Sequence, residues 1–330
     1  MTATLLPSAQ PAAAAATTMR LLVDRITWEA QDVVSVRLRA ADGADLPPWE
    51  PGAHLDLVLP SGLIRQYSLC GDPTDRTSYL VAVLRERSGR GGSAEVHDTA
   101  LVGREVEVRG PRNHFALEPA PAYVFLAGGI GVTPLVAMAR AAARSGTPWR
   151  LHYGGRSRES MAFVDELSGL GGQLLLAPQD EVGLLDLEAI VAGAPPEAAI
   201  YVCGPEGMLR AAQSAGDKAG RAVRIERFAA ASNPGLAQRP ASAGFEVDLC
   251  RSGLRLAVPP DRSMLEVIRD VLPDVPYSCE EGYCGTCEVR VVDGVPDHRD
   301  DILSPAQRAA GDLVMICVSR SATSVLSLDL

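Results

Sequence analysis

The sequence predicts a multidomain chain of three units in series: an antiparallel β-barrel over residues 20–118, an α/β unit on a parallel sheet over 119–228, and a small α+β unit over 244–330. Three observations predict it. Short alternating segments separated by Pro and Gly fill the first unit, which favours a barrel over a parallel sheet. In the second, an apolar segment runs straight into a glycine turn and a helical stretch, and strand-like segments then recur. In the third, strand-like segments and one helix frame a run of closely spaced cysteines.

At 330 residues the chain is long enough for several cores, and 47% hydrophobic with 22% charged residues is ordinary for a globular protein. A net charge of −10 argues against a nucleic-acid partner. The acid excess is uneven. Residues 244–330 hold 15 Asp and Glu against 8 Arg and no Lys, so −7 of the −10 lies there. An acidic end of this kind either steers toward a basic surface on a partner or is a plain solvated surface.

No run of 18 apolar residues occurs, so no membrane span is expected. Residues 1–19 are rich in Ala and Pro, have no basic residue before Arg20, and read as a disordered leader and not as an export signal. Cys70, Cys203 and Cys250 are left over beyond four cysteines treated below, an odd number that points to free thiols in a reducing, cytoplasmic compartment.

From Arg20 to Leu117 short strands are expected throughout, among them 33–40, 54–59, 63–69, 78–86 and 105–109. Two segments carry chemistry. Arg65-Gln66-Tyr67-Ser68 closes one strand, where the guanidinium suits a phosphate, Tyr67 a flat ring and Ser68 that ring's edge. Arg90-Gly91-Gly92-Ser93 reads as a turn offering amides, a hydroxyl and a second arginine to the same anion. Each alone is more often a plain strand or turn; together, ahead of the next unit, they gain weight. Pro111-Arg112-Asn113-His114-Phe115 is the exit from the barrel, with Phe115 in the core.

In the α/β unit a strand at 123–127 leads into Gly128-Gly129-Ile130-Gly131-Val132-Thr133-Pro134 and a helix over 134–144. This order puts free amides and the positive end of the helix dipole where a pyrophosphate can sit. Pro134 suits the first helical turn, and the glycines do not form the six-residue dinucleotide fingerprint. Further strands are expected at 149–153, 173–177 and 199–202. The first of these leads to Gly154-Gly155-Arg156-Ser157-Arg158, and the last ends at Cys203-Gly204-Pro205-Glu206-Gly207-Met208. That is the carboxyl edge, where open α/β sheets bind ligands. Cys203 fits there either against a nicotinamide or as a buried apolar thiol. Residues 229–243, rich in Ala, Ser, Pro and Gly, read as a linker.

The last unit is expected to have strands at 245–250, 254–258 and 287–292, a final strand, and a helix capped by Ser263. Cys250 is expected in the core, and Asp297-His298-Arg299-Asp300 in a solvated loop. Cys279, Cys284 and Cys287 follow C-x4-C-x2-C, with Cys317 after a 29-residue gap, the spacing of a plant-type 2Fe–2S cluster. Gly282, Gly285 and Thr286 keep the loop small enough for its amides to approach the sulfurs. A zinc site usually shows two separated knuckles, and a disulfide set needs an oxidising compartment.

These motifs, in this order, resemble the phthalate dioxygenase reductase family, vanillate demethylase reductases included, over residues 20–330. The resemblance is carried by 65–70, 90–93, 111–113, 128–134, 203–205, the cysteine loop with 297–300, and Cys317-Val318-Ser319-Arg320. It implies FMN, with Arg65, Gln66, Tyr67, Ser68 and the Arg90, Gly91, Gly92, Ser93 turn about the phosphate and ring, and Arg90 filling the space of an adenosine. The backbone of Ala82, Val83 and Leu84, with Thr133 and Phe228, would surround the rest. NAD(P)H is expected at Gly128, Gly129, Gly131, Thr133, Pro134, Cys203, Gly204 and Pro205, and Ser68, Thr133 and Cys203 at the reacting centre. The resemblance also implies a β-grasp fold for the cluster unit.

One departure bears on the nucleotide. NADH-specific members tend to carry an acidic residue after the arginine matching Arg156; here stand Ser157 and Arg158, which suit a 2′-phosphate and favour NADPH. The function implied is a reductase that takes a hydride from NAD(P)H onto FMN and passes single electrons through the cluster to a terminal oxygenase. A Rieske-type oxygenase is the first partner implied, a bacterial cytochrome P450 the second. An iron–sulfur sensor without turnover is the alternative from another class; intact phosphate and nicotinamide motifs argue against it. No general acid or base triad is expected, the chain is expected to be a monomer, and the linker would let the cluster unit move.

Overall fold

The computed structural model describes residues 17–86, 91–228 and 244–330. The linker 229–243, most of the expected leader, and Arg90 lie outside the described residues. The first sheet comprises β1 (Thr18–Ala30), β2 (Val33–Arg39), β3 (Ala53–Val58), β4 (Ile64–Ser68), β5 (Tyr79–Leu84) and β6 (Glu105–Asn113). They run antiparallel in the order β4-β3-β6-β1-β2-β5. A bridge from Leu69 to Val81, with the Cys70 amide donating to the Leu80 carbonyl at 2.9 Å, joins the two edges and closes the barrel. Leu21, Val36, Leu55, Leu57 and Val108 fill its interior.

Two sequence expectations change here. Residues 18 and 19, assigned to the leader, begin β1, and this 13-residue strand was not among those located. Register shifts between Val23 and Arg25 and between Trp28 and Ala30 break its alternation, so no single period-2 pattern runs through it. The expected turn at 91–93 is instead the start of a helix, α1 (Gly92–Asp98), with Gly91 in the left-handed conformation before it. Burial of Val96 in the barrel core holds this helix in place despite weak local propensity.

The second sheet is parallel, in the order β11-β10-β7-β8-β9, from β7 (Ala122–Gly128), β8 (Trp149–Gly155), β9 (Gln173–Pro178), β10 (Ala198–Cys203) and β11 (Val223–Glu226). Both faces are covered, as a parallel sheet requires. Along β7, Tyr123 and Phe125 face the helix α2 (Val132–Ser145), while Val124 and Leu126 pack with the helices Leu187–Ala192 and Glu206–Ala219 on the other side. Helix α2 also meets the barrel: its Leu135, Val136 and Met138 share one buried cluster with Cys70, Ala82 and Phe115. The two units therefore have a continuous apolar interior.

The third sheet has the order β13-β12-β18-β14-β16, with β12 (Phe245–Leu249), β13 (Leu254–Val258), β14 (Glu288–Asp293), β16 (Leu313–Met315) and β18 (Val325–Leu328); β15 (Pro296–Asp297) and β17 (Arg320–Ser321) pair beside it. The helix Met264–Arg269 lays Met264, Leu265, Val267 and Ile268 into this core. Ser263 and Glu266 form a reciprocal capping box at its start. Among the described residues no helix is long and apolar enough to cross a membrane.

Two further expectations are corrected. Cys250 is exposed, because β12 ends at Leu249 and the chain turns there. The 297–300 segment is not a solvated loop: Asp300 is 1% exposed and accepts from the Leu303 amide at 2.9 Å and from the Ser319 hydroxyl at 3.4 Å. Its run of charges is satisfied internally, Arg299 on Asp297 at 2.8 Å and Arg308 on Asp300. Removing the cap hydroxyl with Ser263→Ala is expected to cost the third unit about 1 kcal/mol, read as a lower denaturant midpoint for that unit, with Ser263→Thr close to wild type.

Candidate functional site

Strands β7 and β10 are parallel neighbours, so the turns after them lie side by side. Their approach dictates residue type. A Cβ on Gly131 would stand 2.3 Å from the Cys203 carbonyl oxygen, and one on Gly128 2.7 Å from Met208 Sδ and Pro205 Cδ. A Cβ on Gly204 would come within 3.0 Å of Gly128 Cα. The expected residues Gly128, Gly131, Cys203, Gly204 and Pro205 are thus in mutual contact. Gly129 begins the short 3-10 turn into α2. Thr133 is buried and donates its hydroxyl to the Ile130 carbonyl at 3.0 Å, tying that turn to the helix, with Pro134 next in line. The first amide of α2, at Val132, bonds back to the Gly129 and Ile130 carbonyls.

Cys203 is fully buried, and burial, then the nearby Glu226 charge, pushes its thiol well above the usual value. It stays a neutral, polarisable side chain. Glu226, the last residue of β11, is its partner in register and accepts a hydrogen bond from the Ser68 hydroxyl at 3.5 Å. The residue keeps part of its surface open, yet protein atoms crowd the carboxyl, and burial pushes its pKa up to about 8 against the opposing Ser68 bond. Burial thus biases toward its protonated form a carboxyl that stands beside Ser68 and Cys203. The only signal in the sequence was its position at the carboxyl edge of the sheet. Val223-Arg224-Ile225-Glu226 otherwise reads as an ordinary amphipathic edge strand.

On the barrel side, the Arg65 side chain crosses the start of α1, where a Cβ on Gly92 would meet its Nε at 2.5 Å. This brings Arg65 to Gly91, Gly92 and Ser93, and Ser93 Oγ accepts from the Glu86 amide at 3.1 Å. Gln66 Nε2 and Tyr67 Oη are buried with no hydrogen-bond partner among the described residues. Burial also raises the Tyr67 pKa, keeping its phenol a donor. The two alternate on β4, Gln66 opposite Asp56 on the outer side and Tyr67 opposite Leu55, so only Tyr67 stands with Arg65. An orphaned phenol, costing about 1–3 kcal/mol if unmet, beside a guanidinium fits a polar, anionic ligand such as flavin mononucleotide. Ala82, Val83 and Leu84 lie on β5, and Phe228, two residues past Glu226, keeps 38% of its surface open.

The Arg156-Ser157-Arg158 segment follows β8. The Ser160 hydroxyl closes a turn on Ser157, donating to its carbonyl at 2.8 Å. Arg158 makes a bidentate ion pair with Glu181, at 2.8 and 2.9 Å. The second cation expected for a 2′-phosphate is thus held by a carboxylate that the sequence did not reveal.

In the third unit all four expected ligands, Cys279, Cys284, Cys287 and Cys317, are buried. Hydrogen bonds from Cys284 and Cys317, together with the amides of Glu281 and Tyr283, hold the Cys279 thiol down, and Cys317 also meets Cys287. The Glu281 amide reaches Cys279 Sγ at 3.3 Å, and Cys284 Sγ lies 3.3 Å from the Thr286 hydroxyl. The loop needs left-handed backbone at Glu280, Gly282 and Gly285, and a Cβ on Gly282 would strike Val318 Cγ2 at 2.6 Å. Four convergent thiols with amides aimed at sulfur fit a 2Fe–2S cluster.

Residues 247–322 match the family model described as the 2Fe-2S iron-sulfur cluster binding domain. Over 323 residues the chain is 46% identical to phenoxybenzoate dioxygenase subunit beta of Ectopseudomonas oleovorans, covering 97% of this chain and 99% of that one. Among solved structures, phthalate dioxygenase reductase, described as a modular structure for electron transfer from pyridine nucleotides to 2Fe–2S, matches with a TM-score of 0.70 at 36% identity, over 95% of this chain and 98% of that one. An intact type IV self-sufficient cytochrome P450 monooxygenase matches with a TM-score of 0.83 at 39% identity over 98% of this chain, which spans only 43% of that longer protein.

Fold, site and relatives together define an NAD(P)H-dependent flavin and iron–sulfur oxidoreductase of the kind that serves oxygenases. Within that class the chain belongs to the phthalate dioxygenase reductase family.

The Glu226 carboxyl yields a pH prediction. Its pKa is raised from 4.5 to about 8 on folding, so the folded state holds the proton more tightly. The associated stability is complete below about pH 4.5 and is lost as pH rises through about 8. Glu226→Gln removes this dependence. Chemical denaturation across that window should show wild-type stability falling relative to the variant as pH rises; parallel profiles would contradict the assignment.

Proposed function

We propose that this chain draws electrons preferentially from NADPH and delivers them one at a time to a Rieske-type oxygenase that docks on its acidic third unit. The observation that carries the reaction centre is the Ser68–Glu226 contact, which joins the barrel to the nucleotide-facing edge beside Cys203. FMN, when bound, converts a two-electron hydride delivery into the single-electron steps that a 2Fe–2S cluster accepts.

The chain's own residues position and insulate. The Gly128–Gly131 turn and Cys203–Pro205 would receive the pyrophosphate and nicotinamide, with Gly129 the glycine of this group that faces open space. Arg65 and Tyr67 supply donors to the flavin phosphate and ring, with the backbone of Gln66 and of Ala82–Leu84, Gly91 to Ser93, Thr133 and Phe228 around it. Arg90 would complete the phosphate site. Ser68, Thr133 and Cys203 border the reacting ring, and Glu226 holds a proton at its carboxyl near Ser68. Cys279, Cys284, Cys287 and Cys317 hold the cluster.

At the nucleotide's far end, Arg156, Ser157 and Arg158 bind the ribose. The Glu181 pairing means that NADPH competes with a carboxylate for Arg158. A haem monooxygenase as acceptor is the second reading, supported by the likeness to a self-sufficient P450. A monomer with free thiols fits a reducing, cytoplasmic setting.

Anaerobic stopped-flow mixing of holoprotein with NADPH and with NADH tests the relay. Flavin bleaching followed by loss of cluster absorbance is expected, faster with NADPH; no bleaching with either nucleotide would favour the sensor alternative. At the ribose end, Arg158→Asp should lower the NADPH/NADH ratio of kcat/KM at least tenfold, and Glu181→Gln, which frees Arg158, should raise it. Unchanged ratios in both variants would end the specificity proposal.

A further inference from the structure

Along β3, Leu55 and Leu57 enter the barrel core, so His54 and Asp56 point to its outside. Yet His54 is 3% and Asp56 0% exposed. The group that covers Asp56 comes from the third unit. Ser278 Oγ donates to Asp56 Oδ1 at 2.6 Å, a buried bond between residues 222 positions apart.

Arg112 of β6 lies 2.5 Å from the other carboxylate oxygen. A bulge puts it there: β3 and β6 pair His54 with Arg112 but Asp56 with Arg109, so β6 carries one extra residue between the two pairs. Just beyond β6, His114 stacks on His54 with ring centroids 5.6 Å apart, and its ring lies 3.7 Å from where a Gly285 Cβ would be. Ser278 immediately precedes Cys279, and Gly285 immediately follows Cys284. Both parts of the cysteine loop thus rest on one corner of the barrel, around the buried Asp56 carboxylate.

A hydrogen bond to an ionised, buried acceptor is among the stronger ones available to a protein. We propose that Asp56, steadied by Arg112, is a positioning residue for internal electron transfer: its bond to Ser278 holds the cysteine loop against the barrel and thereby sets the rate of the flavin-to-cluster step. The proposal rests on the reductase reading above. Asp56 takes no part in hydride delivery, because the Ser68–Glu226–Cys203 group, and not this corner, forms the nucleotide side.

The test compares Ser278→Ala with Ser278→Thr in holoprotein. In Ser278→Ala, flavin bleaching by NAD(P)H should keep its rate while the following loss of cluster absorbance slows roughly tenfold or more, the scale of a lost charge-assisted bond. Amide hydrogen exchange across 276–287 should rise in the same variant. Ser278→Thr, which keeps the hydroxyl, should restore both. Asp56→Asn should shift both readouts in the same direction by a smaller factor, and it carries the test if Ser278→Ala fails to keep its cluster. Wild-type cluster reduction and wild-type exchange in these variants overturn the proposal. If wild-type flavin is not bleached at all, the reductase reading fails, and the exchange comparison alone decides the contact: unchanged protection then rejects it.

Discussion

The turns after β7 and β10 touch through backbone, with the Cys203 carbonyl where a side chain on residue 131 would begin. Much else follows from this approach. It fixes how the carboxyl ends of the two central strands line up, and it sets where α2 starts. Helix α2 then carries that position into the barrel, because its buried face is shared between Phe125 of the sheet and Cys70, Ala82 and Phe115 of the barrel. Burying such side chains stabilises by about 1.5–3 kcal/mol each for the larger ones. The barrel and the nucleotide-facing edge are therefore held in register by apolar packing, and the polar groups between them need only small adjustments.

Those polar groups sit in surroundings that disfavour charge. Burial outweighs the Ser68 hydrogen bond at Glu226, and burial with the neighbouring carboxyl keeps Cys203 protonated. A neutral acid next to a neutral thiol leaves little fixed charge beside the place where a nicotinamide and a flavin would meet. At the barrel's other corner burial likewise raises the Asp56 pKa, but Arg112 and Ser278 oppose it, so the carboxylate there is compensated by partners.

What the sequence disclosed and what it hid divide along a physical line. The barrel strands, the glycine turn into α2 and the four cysteines are local signals, written in alternation, backbone freedom and ligand spacing over a few residues. The extent of β1 escaped because two bulges reset its alternation. The charged pairs escaped for a different reason. Ser68 and Glu226 are 158 residues apart, Asp56 and Ser278 222, and Arg158 and Glu181 23, so each carboxyl looks like surface until the chain folds. Asp300 misled in the same way, since its partners Ser319 and Arg308 arrive from separate segments.

Of the seven thiols, six are buried, and Cys250 alone is open to solvent at the turn between β12 and β13. That asymmetry gives the molecule a built-in chemical handle. A fluorophore or nitroxide coupled there under mild conditions would mark the cluster-bearing unit without touching the cysteine loop. Paired with the natural fluorescence of a flavin, a label at this turn becomes an optical ruler for how the cluster-bearing unit sits on the barrel while electrons pass.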